Sequence, residues 1–232
     1  MTRARWRVRI GLLLVVTGLG VLGWAAWEYV GTNVVAHHRQ SQVVGDLDRA
    51  WSNGRDEVDA AGTTAGAVVR IPRFGGDYRM PLLEGTSDRA LASGIGHVEG
   101  TAGPGEEGNF AIAAHRVTHG EPFAEMPSLR PGDEVIVETA DTTYTYVLDT
   151  GGDDLEVSFE AGWVLEPVPD NPDPGGVEPA QDPGQHLITL TTCAELFHTD
   201  ERLVAFGHLV GTEPREADDG AAAPQAHMAR MD

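Results

Sequence analysis

The chain predicts an all-β domain of short strands held behind one apolar N-terminal helix. Three observations point there. Apolar or alternating runs recur from about Gly66 to Val210, each bounded by Gly, Pro or Asp clusters. Apolar spacing of helical period is weak over that stretch, except around Ser87–Ser93. One long uncharged apolar run, Ile10–Trp27, opens the chain. Many short strands at fairly even spacing fit a closed barrel or a sandwich.

The opening run of 18 residues would span about 27 Å as a helix, close to the thickness of a bilayer core. Arg3, Arg5, Arg7 and Arg9 precede it and no acid does, so the positive-inside bias places the N-terminus in the cytoplasm. Trp24, Trp27 and Tyr29 sit where interfacial aromatic anchors belong. A cleaved leader is the rival reading, but the run is long and no clear small-x-small site follows it. The expected layout is therefore a cytoplasmic segment 1–9 and a single-pass signal-anchor 10–29, with everything beyond exported.

Residues 30–62 carry loosely spaced apolar residues (Val34, Val35, Val43, Val44, Leu47, Trp51) and suit a membrane-proximal helix and linker. A folded domain is expected over 63–212. Ala67–Ile71 and Phe110–Ala114 read as buried strands, and Glu134–Thr139 and Thr143–Asp149 as alternating strands turning at Ala140–Asp141. Trp163–Val168, Leu187–Cys193 and Leu203–Val210 complete the set. A proline-rich loop, Pro169–Gly184, precedes the Leu187–Cys193 strand, and long loops in compact domains are often functional. Residues 213–232 are rich in Ala, Asp and Pro and are expected to form a disordered acidic tail.

Charge narrows the function. The chain has 16 arginines, no lysine and 36 acids, a formal charge of -20. With four arginines left inside, the exported part is more acidic still, which argues against nucleic acid as a partner. No Asp/Asn run has calcium-loop spacing, so no metal is expected and the acidity reads as a solvated surface.

Cys193 is the single cysteine of the chain. It can make no intramolecular disulfide, and in an exported protein a leftover thiol reads as an intermolecular pair or a reactive group. A small buried hydrophobe is the bland alternative. A nucleophilic thiol needs a base or cation to favour the thiolate, and an oxyanion needs a donor. Leu187–Cys193 and Leu203–Val210 are joined by a short connection, so an antiparallel pairing would set Arg202 beside Cys193. Thr189, Thr191 and Cys193 share one strand face, Ile188 and Leu190 the other. His186 lies seven residues back, roughly 23 Å along an extended strand and so at the wrong end. His208 lies at that wrong end too, and His37, His38 and His227 sit in flanking segments. His115 ends an apolar run, at the rim of a strand where active-site groups are held rigidly. His198, on the connecting loop, and His119 and His97 stay open as rivals.

The run Thr189-Leu190-Thr191-Thr192-Cys193, with Arg202 nine residues on and Val204–Gly207 after it, resembles the sortase signature. More narrowly it is similar to class E sortases of high-GC Gram-positive bacteria. Upstream the likeness runs through Arg70-Ile71-Pro72-Arg73-Phe74-Gly75, Leu83-Glu84-Gly85 and Gly94-Ile95-Gly96-His97. It continues through Pro104-Gly105, Gly108-Asn109-Phe110-Ala111-Ile112-Ala113-Ala114-His115-Arg116 and Leu129-Arg130-Pro131-Gly132-Asp133. It covers roughly residues 63–212, in order, behind a signal-anchor.

That resemblance implies an eight-stranded sortase-type β-barrel with short helices, and a transpeptidase needing no cofactor. Cys193 would attack the Thr–Gly bond of a C-terminal sorting signal of the Leu-Ala-x-Thr-Gly or Leu-Pro-x-Thr-Gly kind and form a thioester. His115 would shuttle the proton, and Arg202 would hold substrate and oxyanion. Thr192, His119 and Arg116 are the implied substrate-side residues. The implied partners are secreted proteins bearing the signal, an acceptor amine on peptidoglycan or its lipid-linked precursor, and the membrane. Three departures from the family pattern stand out. Ala114 replaces a glycine, Ala194-Glu195 replaces the common x-Pro, and His119 replaces a tyrosine linked to substrate choice. A pilin-polymerising sortase or a non-catalytic wall-binding module are the other readings. An L,D-transpeptidase lacks its Ser-x-Gly-Cys-x-Arg arrangement here.

Overall fold

The computed structural model describes residues 2–27, 32–179, 185–193 and 200–215, and at Cys193 the backbone alone. Tyr29, His198, His227, the tail from 216 onward and residues 180–184 of the proline-rich loop lie outside the described residues.

Eight strands close into a barrel. In chain order they are β2 (Thr63–Arg70), β3 (Met80–Glu84), β4 (Ile95–His97), β5 (Gly108–Ala113), β6 (Glu134–Glu138), β7 (Thr142–Leu148), β9 (His186–Cys193) and β10 (Glu201–Pro214). Around the wall they follow the order β2-β3-β4-β5-β9-β10-β7-β6, and β6 returns to β2 through pairs such as Val69 with Val137. Two short strands lie off the ring: β1 (Val58–Ala60) on the edge of β2, and β8 (Leu155–Ser158) on β10. Closure removes the exposed edges that an open sheet would present. The interior is filled by alternate residues of each strand, including Phe110 and Ile112, Ile188 and Leu190, Tyr146 and Leu148, all essentially inaccessible to solvent.

Local chemistry explains the shorter elements. Ser87 caps the single-turn helix α3 (Asp88–Leu91), accepting a bond from the Ala90 N–H, where helical spacing was expected. The Ala140–Asp141 turn links β6 and β7 as expected. Trp163–Val168 is not a strand. Gly162–Leu165 forms a 3-10 turn, and Pro167 removes a strand donor from the rest of the run. Its Val164 is buried and Trp163 packs on Phe206, ring centroids 6.0 Å apart, which covers the outer face of β10.

Two helices precede the barrel, α1 (Thr2–Ala26) and α2 (Thr32–Ser52). The apolar side chains of α1, Leu12 to Val16 and Leu19 among them, are exposed. Among the described residues no helix is long and apolar enough to cross a membrane; the expected span Ile10–Trp27 falls on α1 and its last turn. By contrast α2 is docked. Val43, Val44, Leu47 and Trp51 pack against Ala60, Ala65, Val68, Leu83 and Ala90 in a second apolar cluster. Arg79 clamps Asp48 through both carboxylate oxygens, at 2.9 and 3.1 Å.

Two motif segments distant in sequence meet on the barrel. Arg73 binds both oxygens of Asp133, at 2.8 and 2.9 Å. Partial burial works to raise the Asp133 carboxyl, but the Arg73 bond and charge and the Arg130 N–H outweigh it and hold the group below its ordinary range. The strand β10 runs to Pro214, two residues into the segment expected to be tail.

Candidate active site

Three adjacent strands, β5, β9 and β10, bring the expected residues to one end of the barrel. In the antiparallel β9–β10 ladder, Cys193 is the direct partner of Arg202. On its other edge β9 runs parallel to β5, with Ala113 opposite Thr191. The ladder continues one step, since the Ala114 N–H donates to the Thr191 carbonyl at 3.2 Å. His115 follows immediately, so the backbone delivers it to the rim where Cys193 and Arg202 stand.

Thr192 secures this end. It is 1% exposed, and its hydroxyl donates to the Ala114 carbonyl at 2.7 Å. The threonine therefore ties the cysteine strand to the residue before His115, and its oxygen is committed to that wall rather than to a groove. Below it, Thr189 donates to Asn109 at 2.8 Å, and the Asn109 amide donates to the Val164 and Glu166 carbonyls at 3.0 Å each. Every donor of that small network meets an acceptor, which keeps a buried polar group affordable in the wall.

Beyond His115 the chain turns sharply. Its carbonyl accepts the Phe123 N–H at 3.0 Å, and the Tyr78 hydroxyl donates to Pro122 at 2.8 Å. Burial pushes that phenol well above its ordinary pKa and keeps it a neutral donor. Between these ties His119, Gly120 and Glu121 have φ of 56°, 81° and 51°. Left-handed backbone costs a non-glycine residue about 1–2 kcal/mol and persists where surrounding structure imposes it. The turn lays the His119 ring on the His115 ring, centroids 4.7 Å apart at 28°. Of the rivals to His115, His119 thus shares its site. His97 does not: it is buried in the wall, bonded to Glu84 at 3.0 Å and to the Ala102 carbonyl at 2.9 Å. Arg116 is half-buried at the start of the turn.

The Arg202 guanidinium lies 4.0 Å from the centroid of the Phe159 ring, which is itself 63% exposed. A guanidinium over an aromatic face is attracted by the ring quadrupole. Phe159 carries no signal in the sequence, because it follows an edge strand that pairing alone brings to β10. Among the described residues no group of three or more His, Cys, Asp or Glu could hold a metal ion. The strand register brings one cysteine, one histidine and one arginine to the same end of the barrel.

Residues 69–210 match the Sortase domain family, and the chain belongs to it. It is 35% identical over 215 residues to sortase SrtE1 of Streptomyces coelicolor, covering 89% of this chain and 58% of that protein. The chain thus spans less than two-thirds of that relative's length. SrtE2 of the same organism is 32% identical over 223 residues, covering 90% of this chain and 84% of the relative. The structure of sortase E from Streptomyces avermitilis matches with a TM-score of 0.56 at 38% identity, over 68% of this chain and 93% of that one. Sortase E1 from Streptomyces coelicolor with a tripeptide in the active site gives 0.57 at 33% identity, over 68% and 94%. The class E resemblance and the eight-stranded sortase barrel are both borne out.

Proposed function

We propose that this chain is a cysteine transpeptidase which cleaves a Leu-Ala-x-Thr-Gly-like or Leu-Pro-x-Thr-Gly-like sorting signal between Thr and Gly. It then transfers the threonine acyl group, held as a thioester, to a cell-wall amine. The Cys193 thiolate attacks the threonine carbonyl, and the oxyanion forms beside the Arg202 guanidinium. His115 gives a proton to the departing glycine amine, leaving a thioester. An incoming amine, on peptidoglycan or a lipid-linked precursor, attacks that thioester while His115 takes its proton, and the thiolate leaves. His119 and Arg116 face the signal residues before the scissile bond, and Thr192 supports the strand from within. Domain 63–212 carries the catalysis outside the membrane, and residues 10–29 hold it there as a single-pass anchor.

The observation that carries this reading is the strand register. Cys193 pairs with Arg202 across β9–β10, and His115 lies two residues past the end of β5 on the other side. A non-catalytic wall-binding module would have no need of that convergence. The test is cleavage of a small panel of sorting-signal peptides with an added amine. Wild-type protein should give both cleavage and the amide product, and Cys193→Ala should give neither while keeping the same circular dichroism. Turnover by the alanine variant would sink the assignment.

A further inference from the structure

We propose that α2 is part of the site, with Asn33 and Gln40 as positioning residues that hold the His119–Glu121 turn and so keep the His119 ring against His115. The inference rests on His115 as the proton shuttle. The contacts themselves belong to elements outside the catalytic set.

Three hydrogen bonds cross from the helix to the turn. Gln40 Nε2 donates to the His119 carbonyl at 2.9 Å, the Gly120 N–H donates to Asn33 Oδ1 at 2.9 Å, and Asn33 Nδ2 donates to Glu121 Oε1 at 2.5 Å. Gln40 is a polar side chain only 2% exposed, and a long amide is buried at that depth where it has a specific partner. The fit leaves no slack. A Cβ on Gly120 would stand 2.6 to 3.0 Å from the Gln40 amide atoms, so a side chain there would push aside the amide that holds the His119 carbonyl, and its φ of 81° favours glycine in any case.

Helix periodicity shows why these two residues meet the turn. The buried stripe of α2 runs Ala36, Gln40, Val43 and Val44, Leu47, Ala50 and Trp51, with Asn33 three residues before it. These positions fall on one face. Its C-terminal half is apolar and packs on β2 and β3, while its N-terminal half carries the two amides and reaches the turn. Within the turn the Glu121 N–H donates to the Thr118 carbonyl, the Ala124 N–H to the Glu121 carbonyl and the Phe123 N–H to the His115 carbonyl, 3.0 Å each, while the bonds to the His119 carbonyl and from the Gly120 N–H go to α2. Three consecutive left-handed residues therefore depend on α2 to stay in place. Loosening them frees the His119 ring and widens the rotamer range of His115, and such misplacement lowers rate more than binding.

The test uses the full chain in detergent micelles, with peptide cleavage and the ring 1H–13C spectrum of labelled histidines as readouts. Asn33→Asp sets two carboxylates face to face against Glu121; Asn33→Asp with Glu121→Gln restores a donor–acceptor pair. Gln40→Leu keeps volume and burial and removes the donor. We expect Asn33→Asp and Gln40→Leu each to lower kcat about tenfold with KM within twofold, and to abolish the mutual ring-current shift of His115 and His119. The double variant should recover most of both. Unchanged ring shifts, or a kcat held within twofold in both single variants, overturns the proposal. So does a double variant that recovers neither readout. If the wild-type protein cleaves no peptide, the transpeptidase reading fails and the ring spectra alone decide the clamp.

Discussion

Arg202 shows what strand pattern can and cannot reveal about a residue. Its pairing with Cys193 was legible because two alternating runs with a short connection have few ways to pair, and the structure gives that register. Its orientation was not legible, since it depends on Phe159, brought in by β8. The same holds for the histidines. A strand end singled out His115, but the stacking of His119 on it follows from a turn whose φ values no local pattern announces. Energies rank the parts. A cation–π contact at an exposed site is worth about 0.5–1 kcal/mol, so Phe159→Ala should lower kcat/KM about two- to fivefold, and Phe159→Tyr should restore it. Arg202→Lys loses the planar fork as well as the stack and should cost on the order of a hundredfold. Steady-state kinetics on the three variants checks the order. A lysine variant as active as the alanine at Phe159 would show that the fork is not what the reaction uses.

Among the elements, the long and strongly patterned strands were readable and the short ones were not. β4 is three residues long and takes its place by pairing with β3 on one side and β5 on the other, and β3 carries Pro81, which masks a strand signal. In Trp163–Val168 apolar residues mislead, because they cover β10 from a 3-10 turn. The helix α2 was visible as spacing, but its burial was not. Leu47 is inaccessible to solvent in the cluster between α2, β2 and β3, so Leu47→Ala should cost about 2–5 kcal/mol in denaturant unfolding. A loss under about 1 kcal/mol would mean that the helix is only a tether. The Arg73–Asp133 clamp makes an element-scale prediction about pH. A carboxyl held below its ordinary value in the folded state stabilises above that ordinary value, and the contribution disappears as pH falls through the depressed one. The gap in Tm between wild type and Asp133→Asn should be present at pH 7 and close as pH drops below about 4. A gap that stays constant with pH would assign the effect to packing.

At the scale of the whole molecule, barrel closure was beyond periodicity, which leaves barrel and sandwich equivalent. It came from the family resemblance and is seen in the β6–β2 pairing. The N-terminal region divides by how it meets the barrel. The apolar side chains of α1 are exposed, and among the described residues no helix is long and apolar enough to cross a membrane. The side chains of α2 are the opposite case, buried in the cluster and in the turn contacts. Two truncations should therefore behave differently. Removal of residues 1–30 takes away the exposed apolar side chains of α1 and leaves the α2 contacts in place. That protein should be soluble and acidic, unfold within a few degrees of the full chain, cleave sorting-signal peptide, and fail to anchor proteins in cells. Removal of residues 1–52 also strips Val43, Val44, Leu47 and Trp51 from the cluster and the two amides from the turn. Losing several buried apolar side chains at about 1.5–3 kcal/mol each exceeds much of the stability of an ordinary domain. The shorter protein should unfold far earlier and cleave poorly even where it stays folded. Equal melting temperatures and equal peptide turnover in the two truncations would show that α2 contributes nothing to fold or site. Sequencing the N-terminus of the native protein completes the test, because a mature chain beginning beyond Trp27 would mean that the leader is removed and the membrane anchor lies elsewhere.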